Sequence, residues 1–401
     1  MRAVRRLVLA VVALVVLEGA SALALLLLRT AGVEYRTLPA LLGSDQRAMI
    51  EKMIDASRRW YQQPDPELGW INGARISFAG ATQSKQRVRS RRKYAPEPPP
   101  GVLRVAAFGD SYVHGDEVRD GEVWSALVEK DCRGVEVMNF GVSGYGVDQA
   151  YLRYLRDGRR LHADLVAIGF FPDQLVRNVN VFRPFLAPGT GHQMTKPRFL
   201  LEDGALRLLP NPLRDLASYR QLLDDPDRVL GEHAAHDAYF PRGYRAGPLD
   251  FLATVRLGKL AVEHLHTPER PPPLVEGRFN PSSEAYAVTL ALLEAFIEAA
   301  RQDGAQPLVV LFPDPGDLHR IRDGKETAYA PLVHDLSARE IPYLDLAASF
   351  AAEAPDAKVE ELFLKWHYSP RGNAVVARAL EAVLDRDSRA QCARRVGGSG
   401  T

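Results

Sequence analysis

Residues 102–115 read VLRVAAFGDSYVHG, and the way the chain leaves that apolar run decides the fold. VLRVAAF is short and apolar apart from one arginine, the composition of a strand buried on both faces. Gly109 allows a tight backbone turn at its end, and Asp110 and Ser111 are both good helix N-caps. A strand that turns sharply into a helix begins a βα unit. Ser111 then stands at the carboxyl edge of a parallel sheet, where open α/β folds bind their ligands. The stretch fits an ordinary strand-to-helix turn as well as the mount for a nucleophile.

The pattern continues along the chain. Short apolar runs recur at 102–108, 135–140, 164–171, 307–312 and 342–347, and helical stretches lie around 121–130, 147–158, 284–303 and 370–385. Strands separated by helices predict a parallel sheet covered on both faces, and right-handed crossovers make it a flavodoxin-like, three-layer α/β/α fold of about five strands. This domain is expected over 102–386. Between 174 and 283 the alternation lapses, which predicts an inserted cap over the sheet edge; within it KPRFLLEDGALRLLP reads as a hairpin turning at Glu202-Asp203-Gly204.

The N-terminus sets the compartment. Arg2, Arg5 and Arg6 precede LVLAVVALVVLEGASALALLLL, residues 7–28, long enough at about 1.5 Å per residue to cross a hydrocarbon core of about 30 Å. The arginines favour a cytoplasmic N-terminus and an exported remainder, giving a single-pass protein of a bacterial inner membrane with its main domain in the periplasm or outside the cell. Glu18 interrupts the span and needs protonation or a partner; a cleaved signal peptide ending near Ala20-Ser21-Ala22 is the alternative to an uncleaved anchor. Residues 29–101 read as a juxtamembrane segment with a helix in SDQRAMIEKMIDASRRWYQ and a basic loop at 85–93 that is solvated or lies on anionic lipid or polysaccharide. Residues 387–401 read as a disordered tail.

A formal charge of +1 over 401 residues gives no whole-protein argument for a nucleic-acid partner. Cys132 and Cys392 are the two cysteines, compatible with one disulfide or with free thiols. No metal-ligand spacing stands out; His233, His236 and Asp237 are the nearest thing to one, and a polar helix face explains them equally well. No cofactor or metal is expected.

Three further stretches fall where a site at the carboxyl edge needs them: NFGVSGYGVDQ (139–149), GFFPDQLVRN (169–178) and LKWHYSPRGNAVVARAL (364–380). Together with Gly-Asp-Ser, in this order, the set resembles the SGNH, or GDSL, hydrolases, specifically their membrane-anchored bacterial members. DPELGW (65–70) and KPRFLLEDGALRL (196–208) add to that likeness. The resemblance implies that Ser111 is the nucleophile, that its amide and that of Gly141 stabilise an oxyanion, and that His367 is the general base. Asp110, Asn178 and His114 are further cleft candidates.

Two positions depart from the family pattern. Asp173 stands where an Asn normally donates to the oxyanion, and an ionised carboxylate there repels developing negative charge, so either Gln174 or Asn178 donates instead or the hole is defective. Lys365 and Leu364 stand where an Asp normally precedes the His; Glu360 and Glu361 are the acids nearby. The resemblance thus implies a membrane-tethered serine esterase or O-acyl transferase acting on acyl esters, acetyl among them, of envelope carbohydrate or lipid. The departures leave room for an impaired relative that binds such a ligand in the same cleft.

Overall fold

The computed structural model describes residues 1–401 except 32, 34–41, 43, 57–60, 188, 234–235, 241–246, 266–270 and 393–401. Five strands build the main sheet: β1 (Leu103–Phe108), β2 (Val135–Asn139), β3 (Leu165–Phe170), β4 (Gln306–Leu311) and β5 (Tyr343–Asp345). All neighbours run parallel, in the spatial order β2-β1-β3-β4-β5. The strand order reverses between β1 and β3, so the crevice of this doubly wound sheet lies at their carboxyl ends.

Ten helices matter for the site and the N-terminal apolar segment: α1 (Arg2–Thr30), α2 (Ser111–His114), α3 (Trp124–Asp131), α4 (Val147–Arg153), α5 (Gln174–Arg177), α6 (Ala253–Leu265), α7 (Glu284–Gln302), α8 (Pro315–Arg322), α9 (Leu346–Glu353) and α10 (Pro370–Leu384). Successive strand residues alternate between two cores. Val105, Ala107, Val137, Ala167 and Val310 meet Trp124, Phe350, Val376 and Leu380 from α3, α9 and α10. Ala106, Phe108, Met138, Ile168 and Leu311 meet Ala150, Leu293 and Phe296 from α4 and α7. Burial on both faces is why these strands read as continuous apolar runs. Arg104 is tolerated because Glu136 accepts from it at 2.5 Å and the Pro96 and Leu161 carbonyls accept at 2.6 and 2.5 Å.

A third core gathers Trp70, Ile71 and Ile50 from the segment before β1, Val142 and Tyr145 from the turn after β2, and Phe182, Met194, Tyr219 and Leu222 from the long insertion. The hairpin inside the insertion pairs Arg198–Glu202 with Ala205–Leu209 and turns through Asp203 and Gly204, both at positive φ, as its sequence predicts. The expected helix before β1 spans Ser44–Ala56; the continuation through 57–60 lies outside the described residues.

The basic run 85–93 is solvated only in part: Lys85, Arg91, Arg92 and Lys93 are exposed, but its middle is not. Val88 and Tyr94 are buried and draw it onto the domain, and the Arg89 guanidinium donates to the carbonyls of His114, Gly115 and Val118. The tail also differs: Cys392 forms a disulfide with Cys132, and Arg389 pairs with Asp164 at 2.7 Å, so order reaches at least residue 392. Residues 393–401 are not described.

Residues Val4–Thr30 of α1, with a mean hydropathy of 2.5, are long and apolar enough to cross a membrane. Glu18 finds partners at the start of α6, where its carboxylate accepts from the amides of Ala253 and Thr254 and from the Thr254 hydroxyl at 2.8 Å.

Candidate active site

At the end of β1, Gly109 is hemmed in: a Cβ there would come within 2.5 Å of Val113 and 2.9 Å of the Gly169 carbonyl. The chain therefore turns tightly against β3 into α2. Asp110 caps α2, with Oδ1 accepting the Tyr112 amide at 3.0 Å and Oδ2 accepting from Arg177 Nη1 at 2.8 Å. Burial pushes the Asp110 carboxyl up while Arg177 pulls it down. Ser111 follows at the first position of α2.

His367 arrives from the opposite side, on the turn before α10. Leu364 N–H donates to the His367 carbonyl at 2.7 Å, Ser369 caps α10 through the Gly372 amide, and the Tyr368 hydroxyl donates to the Pro313 carbonyl at 2.7 Å. Tyr112 ties the two sides together: its hydroxyl donates to the Trp366 carbonyl at 2.8 Å and its ring centroid lies 5.2 Å from that of His367. Ser111 and His367 line one cleft of about 600 Å³ together with Phe171, Asp173, Arg177 and Trp366.

Asp173 lines the cleft with an exposed side chain, paired to Arg177 Nη2 at 3.1 Å. The Gly141 amide donates to Asn139 Oδ1 at 3.0 Å, and the glycine packs against the His114 backbone, so its hydrogen bond closes its own turn. Gln174 is buried behind the cleft, its Nε2 on the Gly169 carbonyl at 3.2 Å. Asn178 is buried too, donating to Thr289 Oγ1 at 2.8 Å. Neither carboxamide lines the cleft.

His114 is neither at the surface nor in the cleft. Its Nδ1 bonds Asp116 at 2.5 Å and its Nε2 lies 3.0 Å from the Tyr61 hydroxyl and 2.9 Å from Gln83 Nε2. Burial pushes the imidazole down against the pull of Asp116, whose own carboxyl is held low by His114 and Ser143 despite its burial. Glu360 is exposed beside His319, and Glu361 pairs with Arg371, so neither acid near His367 in sequence reaches it. Asp237 accepts the amides of Val181, Phe182 and Tyr239 and caps that turn.

Two charged groups at the site escape a reading of the sequence. Arg177 lies four residues after Asp173, a helical spacing that brings the pair together. Glu117 approaches His367 from the loop after α2, with Oε1 3.4 Å from Nδ1. No local signal links them, since 250 residues separate the two.

The insertion supplies none of the described cleft residues beyond Arg177 at its start; the other walls come from 111–112, 171–173, 314–319 and 359–367. The expected cap instead buries its apolar side chains in the third core.

No protein-family model matches the chain, and no curated protein matches it. Solved structures similar to it include a member of the lipolytic protein G-D-S-L family from Veillonella parvula DSM 2008, at 11% identity and TM-score 0.36, covering 71% of this chain and 100% of that one. A lipase/acylhydrolase from Enterococcus faecalis is 12% identical, with TM-score 0.35 and coverage of 73% and 100%. A catalytic mutant of an acetylxylan esterase from Geobacillus stearothermophilus is 12% identical, with TM-score 0.34 and coverage of 70% and 93%. On its own sheet order, and on the order of its motifs around the carboxyl edge, the chain has the three-layer α/β/α fold of the SGNH hydrolases.

Proposed function

We propose that this chain is a membrane-tethered serine esterase or O-acyl transferase acting on acyl esters, acetyl among them, of envelope carbohydrate or lipid. The observation that carries the reading is that Ser111, at the first turn after β1, and His367, from the turn before α10, line one cleft at the switch point of the sheet. In the first half-reaction His367 Nε2 takes the Ser111 hydroxyl proton as Oγ bonds to the ester carbonyl carbon. The resulting oxyanion lies by the Ser111 amide, with the Arg177 guanidinium supplying positive charge on the same wall. Collapse breaks the bond to the leaving alcohol, whose oxygen receives the proton from Nε2, and leaves an acyl-serine. Water or a second hydroxyl, deprotonated by His367, then takes the acyl group and frees Ser111.

Tethering and export are supported by the apolar α1, by the arginines before it and by the disulfide. The test is labelling of the full-length chain in detergent with a fluorophosphonate probe. Labelling is expected on the native chain and absent from Ser111→Ala. A second reading, a ligand-binding relative without turnover, is favoured by the Gly141 amide and the Gln174 carboxamide being engaged away from the cleft; it prevails if the folded native chain does not label.

A further inference from the structure

His367 has a base's position but, from the residues around it in sequence, no acid to orient it. Lys365 and Leu364 occupy the positions where an acid is expected, while Glu360 and Glu361 are turned to His319 and Arg371. The imidazole Nδ1 is buried and makes no hydrogen bond to the described residues. An unpaired buried ring nitrogen is costly and leaves the ring free to choose either tautomer. A carboxylate nonetheless stands beside it.

Resting on the esterase reading above, we infer that Glu117 orients His367 and thereby completes a Ser-His-Glu constellation from a loop remote in sequence. Three observations support this. Glu117 Oε1 is 3.4 Å from Nδ1, within ion-pair reach and a small torsion away from a hydrogen bond. Its Oε2 is already seated on the same turn, accepting the backbone amides of Trp366 at 3.1 Å and of His367 at 3.3 Å. Those two bonds fix the carboxylate to the stretch of chain that carries the base, so the pair moves as one. Third, Glu117 has φ +71°, a left-handed conformation that a non-glycine residue adopts at a cost of about 1–3 kcal/mol when the surroundings require it. Strain of that kind is concentrated where a side chain must be aimed.

The competing acids are occupied. Asp116 holds His114 and Ser143, Asp110 holds the Tyr112 amide and Arg177, and Asp173 pairs with Arg177. Glu117 is therefore a positioning residue. With its carboxylate accepting Nδ1–H, the Nε2 lone pair faces Ser111 and takes the hydroxyl proton, and the imidazolium that forms keeps a counter-charge at the other nitrogen.

The experiment uses the full-length chain in detergent, p-nitrophenyl acetate turnover, and 15N NMR of the His367 ring, the latter in a Ser111→Ala background. Glu117→Gln is expected to lower kcat by roughly 10²–10⁴-fold, the range a triad acid commands, with KM changed by less than about threefold. Glu117→Asp should recover part of the loss. Glu117→Gly, in which relief of the backbone at φ +71° offsets the two lost amide contacts, should melt within a few degrees of the native chain yet be as slow as Glu117→Gln, separating orientation from folding. In the NMR spectra the neutral ring should be the Nδ1–H tautomer with Glu117 present and shift toward Nε2–H in Glu117→Gln. Turnover of Glu117→Gln within threefold of native, or an unchanged tautomer, overturns the inference. If the native chain shows no Ser111-dependent turnover, the esterase reading fails, and the tautomer measurement still decides whether Glu117 orients the ring.

Discussion

At Asp173 the charge of a single side chain and the charge of the site have to be distinguished. Alone, a carboxylate near a developing oxyanion opposes it. Here its side chain is 65% exposed and paired with Arg177 Nη2, so water and the guanidinium both screen it. Arg177 is 12% exposed and held on its other side by the buried Asp110, which leaves it as the fixed cation of the cleft wall. On the proposed reaction, Asp173→Asn should change kcat by less than about threefold, whereas Arg177→Ala should lower it by about 10²–10³, the usual worth of one oxyanion-stabilising group. Steady-state kinetics of the two variants check this; a large gain in Asp173→Asn would mean that its charge does reach the oxyanion. That Ser111 and His367 come to one cleft was legible in the sequence because each sits in a short motif beside strand and helix signals. Glu117 was not, since only folding brings it to His367, and no spacing rule shows that the Gln174 and Gly141 donors turn to Gly169 and Asn139.

Among the elements, α8 carries a charge arrangement that responds to pH. It starts with a reciprocal cap in which Asp314 accepts the Asp317 amide at 2.7 Å and Asp317 accepts the Asp314 amide at 3.3 Å. Asp317 also accepts the Ala328 amide at 2.7 Å. Burial, with the charges of Asp314 and Asp345 adding to it, pushes the Asp317 carboxyl up to about 7. A carboxyl raised on folding stabilises the fold below its unfolded value, near 3.8, and that stability is lost as pH rises through about 7, with each pH unit between the two worth about 1.4 kcal/mol. Asp317→Asn removes the titration, so its melting temperature relative to the native chain should climb between pH 4 and pH 8. Parallel melting curves for the two proteins across that range would refute the assignment. The strands and the crossover helices of this domain were plain in sequence, because burial on both faces makes β1, β3 and β4 uninterrupted apolar runs. The path of the insertion was not: its helices carry apolar stripes that fit any apolar surface, and Trp70 and Tyr145 of the third core decide which one they cover.

Over the whole molecule, one covalent link closes most of the α/β domain on itself. Cys132 at the end of α3 and Cys392 beyond α10 are 260 residues apart, and the disulfide between them encloses β2 to β5 and the insertion. Two isolated cysteines in a sequence do not announce such a bond; it exists because the short Cys132–Arg133 and Gln391–Cys392 strands pair at the flank of α3 and bring the two sulfurs together. In the chain-entropy account, closing a loop of this size removes enough freedom from the unfolded chain to be worth about 5 kcal/mol. Because the link acts on the unfolded state, its loss should leave the cleft and its chemistry intact while lowering resistance to heat. Cys132→Ser with Cys392→Ser is therefore expected to melt roughly 5–10 °C below the native chain, with turnover at 25 °C unchanged within about twofold. Dithiothreitol should reproduce the shift in the native chain and have no effect on the double variant. A native chain whose melting temperature is indifferent to reductant would show that the bond is absent in solution, and with it would go one of the supports for an oxidising compartment.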